Sequence, residues 1–318
     1  KKQNKLIMKI SGFTMCKNVS KLYYPIKESI ESILPIVDEF IVAVGDCDQD
    51  DDTLEIVNSI KSEKIKIIHT VWDLEKYPNG MENAHQTDIA KNECYGDWVF
   101  YLQADEVVHE KYLPIIKKRC EDLLSNENID GLLFSYLHFY GDYYHYNNGR
   151  GWYQNEIRIV RNNKDIHSFI SAQSFRKIPN FDGVSYRNKE GTEKLNVAKV
   201  DAYIYHYGWV RPPEYMQKKK IALDNIHTNE NSLADPDSFN YGPIGCLEEF
   251  LNTHPKVMKD WISKFNWASK LDYSSKYILN REKMKHEKLH YRILNKIEKY
   301  FTKGRHLFAY SNWNIIKL

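Results

Sequence analysis

The stretch Gly96-Asp97-Trp98-Val99-Phe100-Tyr101-Leu102-Gln103-Ala104-Asp105-Glu106 decides how the chain is read. Its middle, Trp98 to Leu102, is short and continuously apolar, which predicts a strand over 97–103 buried on both faces. Strands of that kind belong to parallel sheets covered by helices, and the residues upstream supply the necessary alternation. A run at 6–13 predicts a first strand, followed by a helix over 24–34 with Pro25 in its first turn, where a missing N–H costs little. Glu39 to Val44 predicts a second strand, ending at Gly45. Asp52 followed by Glu55 has the form of a capping box opening a helix to residue 60, and 64–70 predicts a third strand. A helix over 82–95 is expected to stop at Gly96 in the left-handed conformation. The expected fold class is α/β: a single Rossmann-type, mostly parallel sheet with flanking helices.

Beyond about residue 130 the rhythm changes. Longer strands are expected at 131–140, 155–161 and 197–207, joined by Tyr/His/Asn/Gly-rich connections, and the chain is mainly helical from Pro212 onward. The basic run Lys218–Lys220 and the Lys/His/Glu-rich stretch 281–299 read as solvated or interhelical faces. Over 318 residues, Lys+Arg 45 against Asp+Glu 43 leaves a net charge of +2, so no global field recruits nucleic acid. No apolar run approaches the roughly 18 residues of a spanning helix, and the Lys-rich start lacks a signal peptide's apolar stretch. Beginning at Lys1, the chain is consistent with a leader or anchor having been removed. Five cysteines, odd in number and never in a CxxC pair, fit a reducing, cytoplasmic setting. The 23 Tyr and 7 Trp include rings able to stack on sugars or bases, although most are expected in the core.

In an open α/β sheet, ligands bind beyond the carboxyl ends of the strands. Here those ends carry Thr14-Met15-Cys16-Lys17-Asn18, then Gly45-Asp46 running into the acidic turn to Asp52, then Gln103-Ala104-Asp105-Glu106. Such an acidic rim either repels itself or binds a cation. Asp50–Asp52 read as a solvated loop and helix cap. Asp46, directly beyond the last apolar strand residue, is a candidate ligand contact. Asp105 follows a buried strand, where an unpaired carboxylate is costly, and is expected to serve a metal or a hydroxyl. No Gly-x-Gly-x-x-Gly or Walker A sequence follows any strand, so a bound diphosphate would be neutralised by a divalent cation, Arg or Lys.

The strand–helix opening with Asn18 and Ser29–Leu34, the acidic turn Asp46–Thr53, and Gly96-Asp97-Trp98 ahead of Gln103-Ala104-Asp105-Glu106 together resemble the nucleotide-sugar-binding half of family 2 glycosyltransferases of the GT-A fold. The resemblance implies a GT-A-like core over 1–210, with a donor half (1–110) and an acceptor half (111–210), followed by a mainly helical C-terminal segment over 211–318. It also implies that Asp46 binds the donor's base, with Thr14 in the donor-binding set. Gln103 and Asp105 would occupy the first and last positions of the Asp-x-Asp signature, and Asp105 would hold Mn²⁺ or Mg²⁺ between the phosphates. Gln103 departs from the signature and brings no negative charge, so metal affinity would be weak or another group must help. His206, opening His-Tyr-Gly-Trp, is the expected second metal ligand. Arg158, with Arg161, is expected at the diphosphate or paired with acidic loops. The base is expected from Glu156, then Asp182, with Glu190 the least favoured. The tract Tyr136–Trp152 suits a sugar acceptor, rings stacking on the apolar sugar face while amides read hydroxyls.

The expected function is transfer of a sugar from a UDP- or GDP-sugar to a glycan or lipid-linked acceptor, inverting and metal-assisted, building a surface polysaccharide or other glycoconjugate. Peripheral contact of the C-terminal helices with an anionic membrane is a secondary expectation. Two other readings stay open: a nucleotidyltransferase, disfavoured because Ser11-Gly12-Phe13-Thr14 lacks a Gly-rich Arg/Lys-bearing turn, and a catalytically silent glycan- or nucleotide-binding protein, with Gln103 as the first sign of lost chemistry.

Overall fold

In the computed structural model, which describes residues 7–228, 239–279, 281–302, 304–307 and 311–318, the apolar runs of the first hundred residues pair as a parallel sheet. The Lys-rich start at 1–5 lies outside the described residues. The strands are β1 (Ile10–Cys16), β2 (Glu39–Val44), β3 (Ile65–His69) and β4 (Trp98–Tyr101). Between them run helices α1 (Ile26–Ile33), α2 (Thr53–Asn58) and α3 (Met81–Asn92). Burial on both faces explains the apolar runs. Phe40, Val42 and Val44 of β2 pack in one layer with Ile30 and Ile33 of α1, while Ile41 and Ala43 pack in the other with Ala90 of α3.

The second half extends the sheet with β5 (Glu106–Val108), α4 (Leu113–Leu123), β6 (Gly131–Tyr140), β7 (His145–Tyr146), β8 (Asn155–Arg161), β9 (Ile166–Phe169), β10 (Ser174–Lys177) and the long β11 (Glu193–Trp209). The order is β3-β2-β1-β4-β8-β6-β11-β10-β9, with β8 antiparallel to both β4 and β6. β5 pairs with β11 in a register that sets Glu106 opposite His206. That one pairing carries the end of the Gln103–Glu106 turn to the His-Tyr-Gly-Trp segment.

The C-terminal segment contributes α5 (Pro213–Thr228), β12 (Glu248–Glu249), α6 (Lys259–Ile262), α7 (Leu289–Thr302) and β13 (Trp313–Ile315), the last pairing with β11. Its Trp267 and Met258 join Phe139, Tyr143 and Tyr207 in an aromatic core layer, so many of the abundant rings are structural. Among the described residues no helix is long and apolar enough to cross a membrane.

Two local expectations are corrected. Gly96 is not among the left-handed glycines; a Cβ there would lie 2.7 Å from the Ser11 backbone N, so the residue is glycine for close approach to β1. The left-handed glycine is Gly80 (φ 81), at the other end of α3. At α2 it is Asp51, not Asp52, whose carboxylate accepts from the Thr53 N–H, at 2.9 Å.

Candidate active site

At the end of β1 the Thr14 hydroxyl is fully buried and donates to Leu102 O at 2.6 Å, tying β1 to the segment after β4 rather than facing a ligand. At the end of β2, Asp46 keeps 43% of its side chain exposed and accepts from Lys17 Nζ (2.8 Å) and from the Trp72 N–H (2.9 Å). Trp72, which the sequence reading missed, lies over Gly45: a Cβ there would sit 2.5 Å from the indole Nε1. The acidic turn does not gather as an open cation site. Lys21 pairs with Asp48 at 2.7 Å and also with Asp50, and the Ser20 hydroxyl donates to Asp51 at 2.7 Å. Lys17 and Lys21 after the first strand were the legible sign of that neutralisation.

Asp105 is 4% exposed and is met by three groups from beyond residue 205. Lys219 Nζ donates to its Oδ2 at 2.9 Å and to Gly208 O at 2.8 Å. Arg211 Nη2 stands 3.9 Å from Oδ2, and His206 Nε2 stands 3.7 Å from Oδ1. The backbone explains the gathering. Tyr207 N–H donates to Asp105 O at 2.8 Å, extending the β5–β11 ladder, and the chain then passes Arg211 and Pro212 into α5. Successive helical residues point about 100° apart, so the Lys218–Lys220 run is divided among three directions. Lys218 lies over the Tyr215 ring, Lys220 reaches Asp224 at 3.2 Å, and only Lys219 is buried.

Burial by itself would raise the Asp105 carboxyl, but Lys219, with Arg211 beside it, overcomes that and holds the group well below the usual carboxylate range. Burial pushes the Lys219 ammonium down to about 8, with Arg211 adding to the effect and Asp105 opposing it. The protons on the histidines follow from their partners. His138 Nε2 contacts Tyr153 O at 2.7 Å, and a carbonyl only accepts, so the proton is on Nε2. Burial, and then His206, keep His138 neutral, so its Nδ1 accepts, at 2.9 Å, from His206 Nδ1–H. His206 is likewise held neutral chiefly by burial, which leaves its Nε2 lone pair facing Asp105 Oδ1. Gly208 must lack a side chain, because a Cβ would fall 2.4 Å from His206 Nε2 and 2.9 Å from Asp105 Oδ2.

Other expected residues are placed elsewhere. Arg158 is fully buried in a bidentate pair with Glu106, both bonds 2.7 Å, and is not free to meet a diphosphate. Arg161 donates to the carbonyls of Ile129, Leu123, Leu124 and Asn126 around the end of α4. The Gln103 amide donates to Ala172 O at 3.1 Å. Glu156 is 4% exposed on β8, two residues from Arg158; burial drives its carboxyl up to about 7, against the pull of Arg158. Asp182 and Glu190 are exposed, and Asp182 is spent in its own turn, accepting from the N–H groups of Val184 and Ser185. In the Tyr136–Trp152 tract, Tyr136, Tyr140 and Tyr143 are buried and Tyr144 is 52% exposed. A cavity of about 800 Å³ borders the tract, lined by Tyr136, Tyr146, Asn148, Tyr277, Arg292 and Lys296 among others.

The facing acceptors Asp105 Oδ1 and His206 Nε2 form the pair expected around Mn²⁺ or Mg²⁺. Their surroundings do not suit one. Asp105 Oδ2 is taken by Lys219, Gln103 is turned away, and Glu106 is locked to Arg158. Among the described residues no group of three or more His, Cys, Asp and Glu stands where it could hold a metal ion. With His206 neutral, one carboxylate faces an ammonium and a guanidinium, so the site is net positive and favours an anion over a divalent cation.

The parallel strands β1 to β4 with their flanking helices, and the position of Asp105 just past β4, are what the resemblance implies. The fold is GT-A-like. No family model matches the chain, and no curated protein matches its sequence. Among solved structures it is similar to S. aureus TarS, at 18% identity and a TM-score of 0.38; the match covers 71% of this chain and 41% of TarS. TarS 1–349 in complex with UDP-GlcNAc matches over 46% of this chain and 37% of that one, at 23% identity and a TM-score of 0.29. Glucosyl-3-phosphoglycerate synthase from Mycobacterium tuberculosis, in complex with Mn²⁺, UDP and glucosyl-3-phosphoglycerate, matches over 42% and 44%, at 21% identity and a TM-score of 0.27. Overlaps this partial carry nothing about activity, for which the chain's own site is the guide.

Proposed function

We propose that the chain is a glycosyltransferase moving a sugar from a nucleotide-sugar donor to a glycan or lipid-linked acceptor with inversion. The observation that carries this reading is the convergence of Asp105, His206, Lys219 and Arg211 just past β4, with Asp46 exposed at the end of β2 on the same edge of the sheet. Asp46 and Trp72 would meet the base, and the cationic pair would draw the diphosphate. Asp105 Oδ1 and the His206 lone pair are placed to accept from a hydroxyl. Glu156 is the proposed base. Buried and poised near neutrality, it would take the proton from the acceptor hydroxyl as that oxygen attacks the anomeric carbon and the bond to the diphosphate breaks. Incubation with UDP-, GDP- and dTDP-sugars and a glycan panel tests the reading. Release of nucleoside diphosphate with a glycosylated product is expected; pyrophosphate release would mean nucleotidyl transfer, and binding without turnover a silent binding protein.

The acceptor's setting is the second part of the proposal. On α7, Leu289, Ile293, Ile297 and Phe301 recur every fourth residue and are 43–74% exposed, beside Arg292, Lys296 and Lys299. An apolar stripe edged by lysine and arginine suits the surface of an anionic bilayer. Vesicles containing anionic lipid are expected to carry the chain on flotation and neutral vesicles are not. Equal behaviour would remove the membrane from this reading.

A further inference from the structure

Lys219 and Arg211 are an uncommon pair to bury. Asp105 is the acidic side chain that both approach, and it can offset only one of them. Arg211 is fully buried; its Nη1 donates to Leu22 O at 2.8 Å, while Nε and Nη2 have no hydrogen-bond partner. The guanidinium and the ammonium both lie over the Tyr24 ring, 4.7 and 4.9 Å from its centroid. Burying cationic N–H groups without partners is costly, so a site that keeps them is suited to partners from outside the chain. The surplus charge is positive, and it sits beyond β4, where ligands of open α/β sheets bind. A group offering several anionic oxygens fits both cations at once.

We infer that Lys219, backed by Arg211, receives the donor's diphosphate directly and takes the place of the divalent cation that the Asp-x-Asp signature would otherwise hold. This rests on the glycosyltransferase reading and deepens it. Asp105 then serves as the counter-charge that keeps Lys219 protonated and aimed while the site is empty. Gln103 falls into place as well: without a metal, the first position of the signature needs no carboxylate, and its amide is used to hold Ala172.

The test measures the affinities of UDP, GDP and dTDP, each beside its own nucleoside, by calorimetry in EDTA and in Mn²⁺. For the wild type, one nucleoside diphosphate is expected to bind in EDTA within about threefold of its affinity in Mn²⁺, since the charge is built into the chain. Lys219→Met is expected to weaken that diphosphate by about 10- to 100-fold and leave its nucleoside unchanged, the range for losing a hydrogen bond to a charged group. Lys219→Arg should recover most of the loss. A purely structural lysine would instead lower diphosphate and nucleoside affinity together. The inference is overturned if wild-type binding vanishes in EDTA and returns with Mn²⁺, or if Lys219→Met leaves the diphosphate-to-nucleoside ratio intact. Both results leave the glycosyltransferase reading standing. If the wild type binds no nucleoside diphosphate in either buffer, that reading fails and takes the inference with it. Should Lys219→Met not fold, as judged by its melting curve, the wild-type EDTA comparison and Lys219→Arg still decide.

Discussion

Glu156→Gln is expected to bind donor close to the wild-type affinity and to slow transfer by about 10²–10⁴-fold, the usual cost of losing a general base. The amide keeps the shape and hydrogen-bonding reach of the side chain and removes only its ability to accept a proton. Burial raises this carboxyl to about 7, while Arg158 pulls the other way, so the sign of the pH dependence is fixed. Below 7 Glu156 is protonated and cannot act as a base; above 7 it is ionised and can. Wild-type transfer should therefore rise with pH through about 7, and the Gln variant should lose that limb. Asp182→Asn is the paired control and should be nearly silent on turnover. Its carboxyl is exposed and held low by hydrogen bonds from Ser185, then Val184, as a turn residue's would be. Normal transfer by Glu156→Gln would move the role to the acceptors beyond β4, Asp105 Oδ1 and the Nε2 lone pair of His206.

Glu106→Gln is expected to destabilise the fold by about 3–5 kcal/mol, because it strands the Arg158 guanidinium as an uncompensated buried charge. Both side chains are fully buried, and Arg158 is further enclosed by the Tyr101 and Tyr136 rings at 5.5 and 5.3 Å. The Tyr136 hydroxyl also donates to Glu106, at 2.9 Å. Replacing the pair together, as Glu106→Gln with Arg158→Met, should cost less than the sum of the single changes, since no lone charge remains. Urea unfolding of the four proteins closes the cycle; single-variant losses below about 1 kcal/mol would show that water reaches the pair. The effect on function is indirect. Glu106 Oε2 accepts from the Gln103 N–H at 3.1 Å, so the pair locks the turn that presents Asp105.

The sequence by itself determined the sheet. β2, β6 and β8 have the bounds expected of them; for β2 and β6 the reason is that a strand buried on both faces is written as a largely contiguous apolar segment and needs no distant partner to be legible. It also marked the strand ends, and with them Asp46 and Asp105, whereas His206 lies inside β11, which runs on to Trp209. Short strands such as β5, β9 and β13 were missed, since three or four residues carry no period of their own and exist only through pairing with longer neighbours. The roles of individual charges were decided only by the tertiary structure. Arg158 and Lys219 sit in stretches equally suited to solvent or ligand, and Lys218, Lys219 and Lys220 are identical in sequence terms. Which of the three lysines is buried depends on the angle at which α5 leaves Pro212, and that angle is set by packing, not by composition. A cation's function is its distance to the nearest carboxylate. Here that distance joins residues 114 positions apart, a relation that exists only once β11 and α5 have folded back over the end of β4.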